Sequence, residues 1–144
     1  MSVEGPDRVS GGSTNEEGIV SVRILLVDDE PFILTATASL LRGAGHEVIA
    51  CEQWTGVASA VHREHPDVVL LDYNMPAIKG DELCRILKRN SVNPDMKVLI
   101  FSSEPEHDLV EIVSRSGADG YIPKNIAGHI LLQRINASVS CTVN

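Results

Sequence analysis

Val68-Val69-Leu70-Leu71-Asp72 is an unbroken apolar run that ends on a carboxylate. Three other runs follow the same plan. Ile24-Leu25-Leu26-Val27 stops at Asp28-Asp29, Val98-Leu99-Ile100-Phe101 stops at Ser102, and Gly120-Tyr121-Ile122-Pro123 stops at Lys124. An apolar run without alternation suits a strand covered on both faces, as in a parallel sheet packed between helices. Open α/β sheets build their sites at the carboxyl ends of their strands. If these runs lie side by side, three carboxylates, a hydroxyl and an ammonium meet along one edge.

The intervening segments read as helices. Pro31 suits a first helical turn, and a helix over 31–42 puts Ile33, Thr37, Leu40 and Leu41 on one face before Gly43-Ala44-Gly45 stops it. Glu47–Cys51 is a second strand. Thr55 can cap a helix over 56–65, which Pro66 ends. Strands over 67–71, 97–101 and 120–122 alternate with helices over 81–89, 105–116 and 127–137. The 81–89 helix carries Leu83, Ile86 and Leu87. The 105–116 helix turns Leu109, Ile112 and Val113 inward. The expected fold class is α/β: a (βα)₅, flavodoxin-like, doubly wound parallel sheet with strand order 2-1-3-4-5 and right-handed crossovers. That order makes the first and third strands neighbours, so Asp28, Asp29 and Asp72 fall at the switch point.

At 144 residues the chain is expected to form one domain over 22–138, after a disordered Gly- and Ser-rich leader over 1–21 and before a short tail over 139–144. A net charge of −8 argues against a nucleic-acid-binding face. No apolar run reaches the roughly 18 residues that cross a membrane, and no signal-peptide core is present. Cys51, Cys84 and Cys141 are odd in number and lack CxxC spacing, which points to reduced thiols in a cytoplasmic protein.

Converging carboxylates raise one another's pKa unless a cation neutralises them. Mg²⁺ (or Mn²⁺) suits such a site: a hard ion content with few carboxylates, waters and a phosphate. A carboxylate beside that ion can act as a nucleophile and form an aspartyl phosphate. Lys124 and Ser102 supply a point charge and a hydroxyl to the incoming phosphoryl group. Each residue alone has a plainer reading. Asp28-Asp29 could cap a helix, Ser102 could be a loop hydroxyl and Lys124 a solvated lysine. Together they favour the ion site.

With these residues in place, the chain resembles the receiver domain of two-component response regulators, of the stand-alone, single-domain chemotaxis-regulator type. The resemblance covers about residues 22–138. It rests on Leu-Val-Asp28-Asp29-Glu30, on Leu-Leu-Asp72-Tyr73-Asn74-Met75-Pro76 with Gly80, on Ser102, on Gly117-Ala118-Asp119-Gly120-Tyr121 and on Lys124. It implies that Asp72 is the phosphoacceptor, assisted by Lys124 and Ser102. It implies metal ligation by Asp29, Asp72 and the backbone carbonyl of Asn74, with Asp28 acting through water. Ser102 and Tyr121 match the switch positions. It implies that the side chains of Asn74 and Glu104 border the path of the hydrolytic water and tune phosphoryl lifetime; a polar pair there predicts a lifetime that is not exceptionally long.

The implied partners are a histidine kinase or histidine phosphotransfer protein and a downstream protein target, without nucleic acid or membrane. A homodimer through the fourth and fifth helices is admitted. Output would run through the fourth helix, fifth strand and fifth helix, by protein binding in trans or onward phosphotransfer. One departure stands out: proline precedes the lysine, in Ile122-Pro123-Lys124-Asn125, where the family has it after. A trans Lys124–Asn125 bond is therefore expected. Two competing functions remain. One is a receiver fold kept purely as an interaction module without phosphorylation. The other is an aspartate-nucleophile phosphatase, disfavoured because Asn74 stands where a second acid would be needed.

Overall fold

The computed structural model describes residues 13–14, 20–75, 78–91 and 93–140. Five parallel strands form the central sheet: β1 (Arg23–Val27), β2 (Glu47–Cys51), β3 (Val68–Asp72), β4 (Lys97–Ser102) and β5 (Gly120–Pro123). Their order is β2-β1-β3-β4-β5, as expected. The helices are α1 (Pro31–Gly43), α2 (Val57–Glu64), α3 (Gly80–Asn90), α4 (Glu106–Ser116) and α5 (Gly128–Ser140).

Successive side chains of a strand point to opposite faces, so each apolar run supplies both sides of the sheet. Leu25, Val27, Val69, Leu71 and Ile100 pack with Val57, Val61, Leu83, Leu87 and Leu109 from α2, α3 and α4. Ile24, Leu26, Leu70, Phe101 and Ile122 pack with Leu34, Leu41, Leu131 and Ile135 from α1 and α5. All five residues of β3 are buried. This is why that run carries no polar alternation.

The buried face of α1 is Leu34, Thr37, Ala38 and Leu41; Ile33 and Leu40 flank it. Leu40 packs at the margin of that core and meets α5, where a Cβ on Gly128 would stand 3.1 Å from a Leu40 methyl. A larger residue there would require the Leu40 side chain to give by a few tenths of an ångström. Thr55 does not cap α2. Trp54 packs against the core within a short 3₁₀ turn, Trp54–Gly56, and α2 begins after Gly56 with no side-chain cap. α5 reaches Ser140, so the first residues of the expected tail are helical. The expected leader falls largely outside the described residues. Within it, Ser13–Thr14 pairs antiparallel with Val20–Ser21. Cys141 also lies outside the described residues.

Both outer strands meet an arginine. Arg42 Nη2 of α1 donates to the Val48 carbonyl of β2 at 2.9 Å. Arg134 Nη2 of α5 donates to the Tyr121 carbonyl of β5, also at 2.9 Å.

Candidate functional site

Three strand ends use one local device. Asp28 Oδ1 accepts the Glu30 N–H at 3.0 Å, Asp72 Oδ1 accepts the Asn74 N–H at 3.2 Å, and Ser102 Oγ accepts the Glu104 N–H at 3.1 Å. A short polar side chain bonded to the backbone two residues on forms a turn of its own. The chain leaves each strand sharply, and the side chain stays fixed at the sheet edge. A backbone bond from Asp28 N–H to the Cys51 carbonyl, 3.1 Å, pins the first turn to β2.

Because β1 and β3 are neighbours, these turns gather the acids. Asp28, Asp29 and Asp72 each offer an oxygen, all within 4.8 Å of one another. Asp28 and Asp72 are buried and Asp29 is half-buried. Lys124, just past β5, reaches back to them. Its Nζ lies 2.7 Å from Asp28 Oδ2, 3.3 Å from Glu30 Oε1 and 3.4 Å from Asp72 Oδ1. Its backbone N–H donates to the Ser102 carbonyl at 2.9 Å, which ties the lysine loop to the end of β4. The ammonium also stands 5.6 Å from the centre of the Phe101 ring. Among the described residues no peptide bond is cis, so Lys124–Asn125 is trans.

The electrostatics are lopsided. The Asp72 carboxyl is pushed up to about 6, first by burial and then by the Asp28 charge and the Asp29 carboxyl; Lys124 and the Asn74 N–H pull the other way. For Lys124, burial favours the neutral amine, but the close contacts to Asp28, Asp72 and Glu30 outweigh it and raise its pKa. Both values rise, the lysine toward its charged form and the aspartate toward its neutral one, because one ammonium is shared among several carboxylates. The lysine gains from all of them, while Asp72 still faces its own kind. A cluster with this excess of negative charge and this spacing fits a hard divalent cation.

Asn74 and Glu104 come together: Asn74 Nδ2 donates to Glu104 Oε2 at 2.9 Å, joining the segments after β3 and β4. Ser102 is buried at the end of β4. Tyr121 engages a different set of partners. Its hydroxyl donates to Glu106 Oε2 at 2.5 Å and its ring lies 5.5 Å from the Arg134 guanidinium carbon. Two contacts escape sequence reasoning. Glu30 adds a third carboxylate to the lysine, and the hydroxyl of Tyr73, the residue after Asp72 in the chain, accepts from Arg115 Nη2 of α4 at 2.6 Å. Glu30 stood in the quoted acidic motif; nothing local distinguished Arg115.

Comparison with known proteins agrees with this architecture. The sequence matches the response regulator receiver domain over residues 24–136, and the chain belongs to that family. It carries a receiver domain of two-component signalling; receiver domains as a class are signalling modules, not turnover enzymes. Protein PilH of Pseudomonas aeruginosa is 31% identical over 115 residues, covering 80% of this chain and 95% of PilH. The phosphate regulon transcriptional regulatory protein PhoB of the same species is 33% identical over 119 residues, covering 83% of this chain and 52% of PhoB. The chain thus spans about half the length of several transcriptional regulators it matches. Among solved structures, a CheY-like receiver domain protein from Methanospirillum hungatei JF-1 superposes with TM-score 0.74 at 27% identity, covering 83% of this chain and 94% of that one. Chemotaxis protein CheY4 of Vibrio cholerae shares the fold at TM-score 0.76 and 23% identity, over 83% of this chain and 99% of its own. No helix among the described residues is long and apolar enough to cross a membrane.

Proposed function

We propose that this receiver accepts a phosphoryl group on Asp72 from a phosphohistidine of a histidine kinase or phosphotransfer protein and, so modified, changes its protein contacts. One observation carries the reading: Asp72 shares a 4.8 Å cluster with two other acids while the Lys124 ammonium lies 3.4 Å away. An Asp72 oxygen attacks phosphorus and an O–P bond forms. The donor's P–N bond breaks, and its electron pair returns to the imidazole. The transferred group brings negative charge into an acidic site, and Lys124 and the Ser102 hydroxyl are the groups positioned to meet it. Asp29, Asp72 and the Asn74 carbonyl would hold Mg²⁺ or Mn²⁺, with Asp28 acting through water, and the ion supplies Lewis-acid charge balance at the phosphoryl oxygens.

Release follows when water attacks the same phosphorus: a new O–P bond forms, the Asp72 O–P bond breaks with its electron pair returning to the carboxylate, and inorganic phosphate leaves; the bridged side chains of Asn74 and Glu104 border the path of that water. Ser102 and Tyr121 are the proposed switch pair. Movement of the Ser102 hydroxyl toward the phosphoryl group would draw the Tyr121 ring inward and break its bond to Glu106, altering the α4–β5–α5 face. That face is the proposed output surface and the proposed route to a homodimer. The compartment proposed is the cytoplasm.

The test is labelling with acetyl phosphate, with and without Mg²⁺, followed by intact mass. A Mg²⁺-dependent gain of one phosphoryl group in wild type, absent in Asp72→Asn, is expected. No gain in wild type, or a gain that persists in the variant, favours a module that no longer uses phosphorylation.

A further inference from the structure

We infer that Glu30 is a positioning residue for Lys124, holding the ammonium at the phosphoryl site when the other acids are committed to the cation. The inference rests on the reading of Asp72 and Lys124 just given.

The ammonium of Lys124 has three protons and three carboxylate neighbours: Asp28 at 2.7 Å, Glu30 at 3.3 Å and Asp72 at 3.4 Å. Two of these belong to the three-acid cluster. A divalent ion drawn into that cluster takes up their charge and repels the lysine. Glu30 stands outside the cluster, with its side chain 62% exposed against 10% for Lys124. It can keep its charge for the lysine.

A four-carbon stem with free rotamers needs such an anchor. The loop itself offers little. Pro123 precedes the lysine, and an ordinary trans Lys124–Asn125 bond follows. The backbone bond from Lys124 to Ser102 fixes the Cα, not the ammonium. Glu30 is itself well placed: its N–H is held by Asp28 Oδ1, and Pro31 starts α1 directly after it. The acid pair, its turn and the lysine anchor therefore form one continuous segment.

The test uses the full chain and Glu30→Gln, which keeps size and removes charge. Two readouts separate this inference from the reading beneath it. The first is the ¹³C order parameter of the Lys124 ε-methylene, which needs no phosphorylation. It should fall in Glu30→Gln, with Mg²⁺ present, while the values of the other lysines stay unchanged. The second is acetyl phosphate labelling across Mg²⁺ concentrations. The maximal rate should drop about fivefold, the scale of one partly exposed ion pair, while the half-saturating Mg²⁺ stays within about twofold. Glu30→Asp, which restores the charge, should recover part of both. An unchanged order parameter overturns the inference, as does a shift confined to Mg²⁺ affinity. Failure of wild type to label sinks the phosphoacceptor reading instead, and leaves the order parameter to decide the role of Glu30.

Discussion

Asn74 and Glu104 form a side-chain bridge of 2.9 Å, although 30 residues separate them. Each follows a turn whose fixed end is a site residue, Asp72 in one case and Ser102 in the other. The bridge therefore joins the segment after the proposed phosphoacceptor to the segment after Ser102. Both partners are polar and hydrate readily. Replacing Glu104 with Leu removes the bridge and puts an apolar group beside the path of the attacking water. Phosphate release from the labelled protein should slow by about 3- to 10-fold, the scale of one well-placed polar group, with unchanged far-ultraviolet circular dichroism. An unaltered release rate defeats the assignment.

The raised pKa of Asp72 has a consequence for stability. A carboxyl whose folded pKa is about 6 holds its proton more tightly in the native state than in the unfolded chain. Its stabilising contribution is full below about pH 4, where both states are protonated in the reference sense, and is lost as pH rises through about 6. At pH 7.5 the ionised form is therefore a burden on the metal-free protein. Asp72→Asn should raise stability there by about 1–2 kcal/mol, and by much less at pH 4.5. Mg²⁺ at ten times its Kd should add about 1.4 kcal/mol to wild type and far less to the variant. Urea titrations at the two pH values, with and without the ion, measure both differences. Equal stability of the two proteins at pH 7.5 counts against an unneutralised cluster.

His46 titrates in the opposite sense. Its Nδ1 accepts the Val22 N–H at 3.2 Å at the entrance to β1, and burial holds its pKa below the usual histidine value. The unfolded chain takes up a proton near pH 6.5, while the native imidazole does so only at lower pH. Stability contributed by the neutral ring is present above about 6.5 and falls as the solution is acidified. His46→Asn retains an acceptor for Val22 and removes the titration. Between pH 6.5 and 5, the stability–pH slope should flatten by up to about 1.4 kcal/mol per pH unit. Parallel slopes for the two proteins rule the assignment out.

Gly117 closes α4 with φ at +81°, and a Cβ there would meet nothing within 4 Å. Any penalty for Gly117→Ala is thus backbone strain alone. A loss of about 1 kcal/mol, without change in the denaturant m-value, is expected.

Much of this was readable in the sequence because the sheet is buried on both faces. Runs such as Val68-Val69-Leu70-Leu71 carry their layer position in their composition. Their terminal polar residues were legible for the same reason, since β3 ends at Asp72 and β4 at Ser102. Helix faces were harder to read. Spacing places Leu40 on the packed face of α1, and it does pack against the core, but its approach to Gly128, far along the chain, has no local sign. Thr55 looked like a cap until the packing of Trp54 drew the chain into a tighter turn. The contact of Glu30 with Lys124 spans 94 residues, and that of Tyr73 with Arg115 spans 42. Neither has a local signature: the first depends on where the sheet brings the ends of β1 and β5, the second on how α4 packs beside the end of β3.

The arginines at the two flanks of the sheet have an effect beyond the site. Exposed strand margins are templates on which a foreign backbone can add. Here one outward carbonyl on each margin, Val48 on one side and Tyr121 on the other, is already claimed by a guanidinium from the helix packed beside it. An incoming strand would have to evict a charged group to complete its ladder across that carbonyl, so each margin carries a partial deterrent to fibril-like growth.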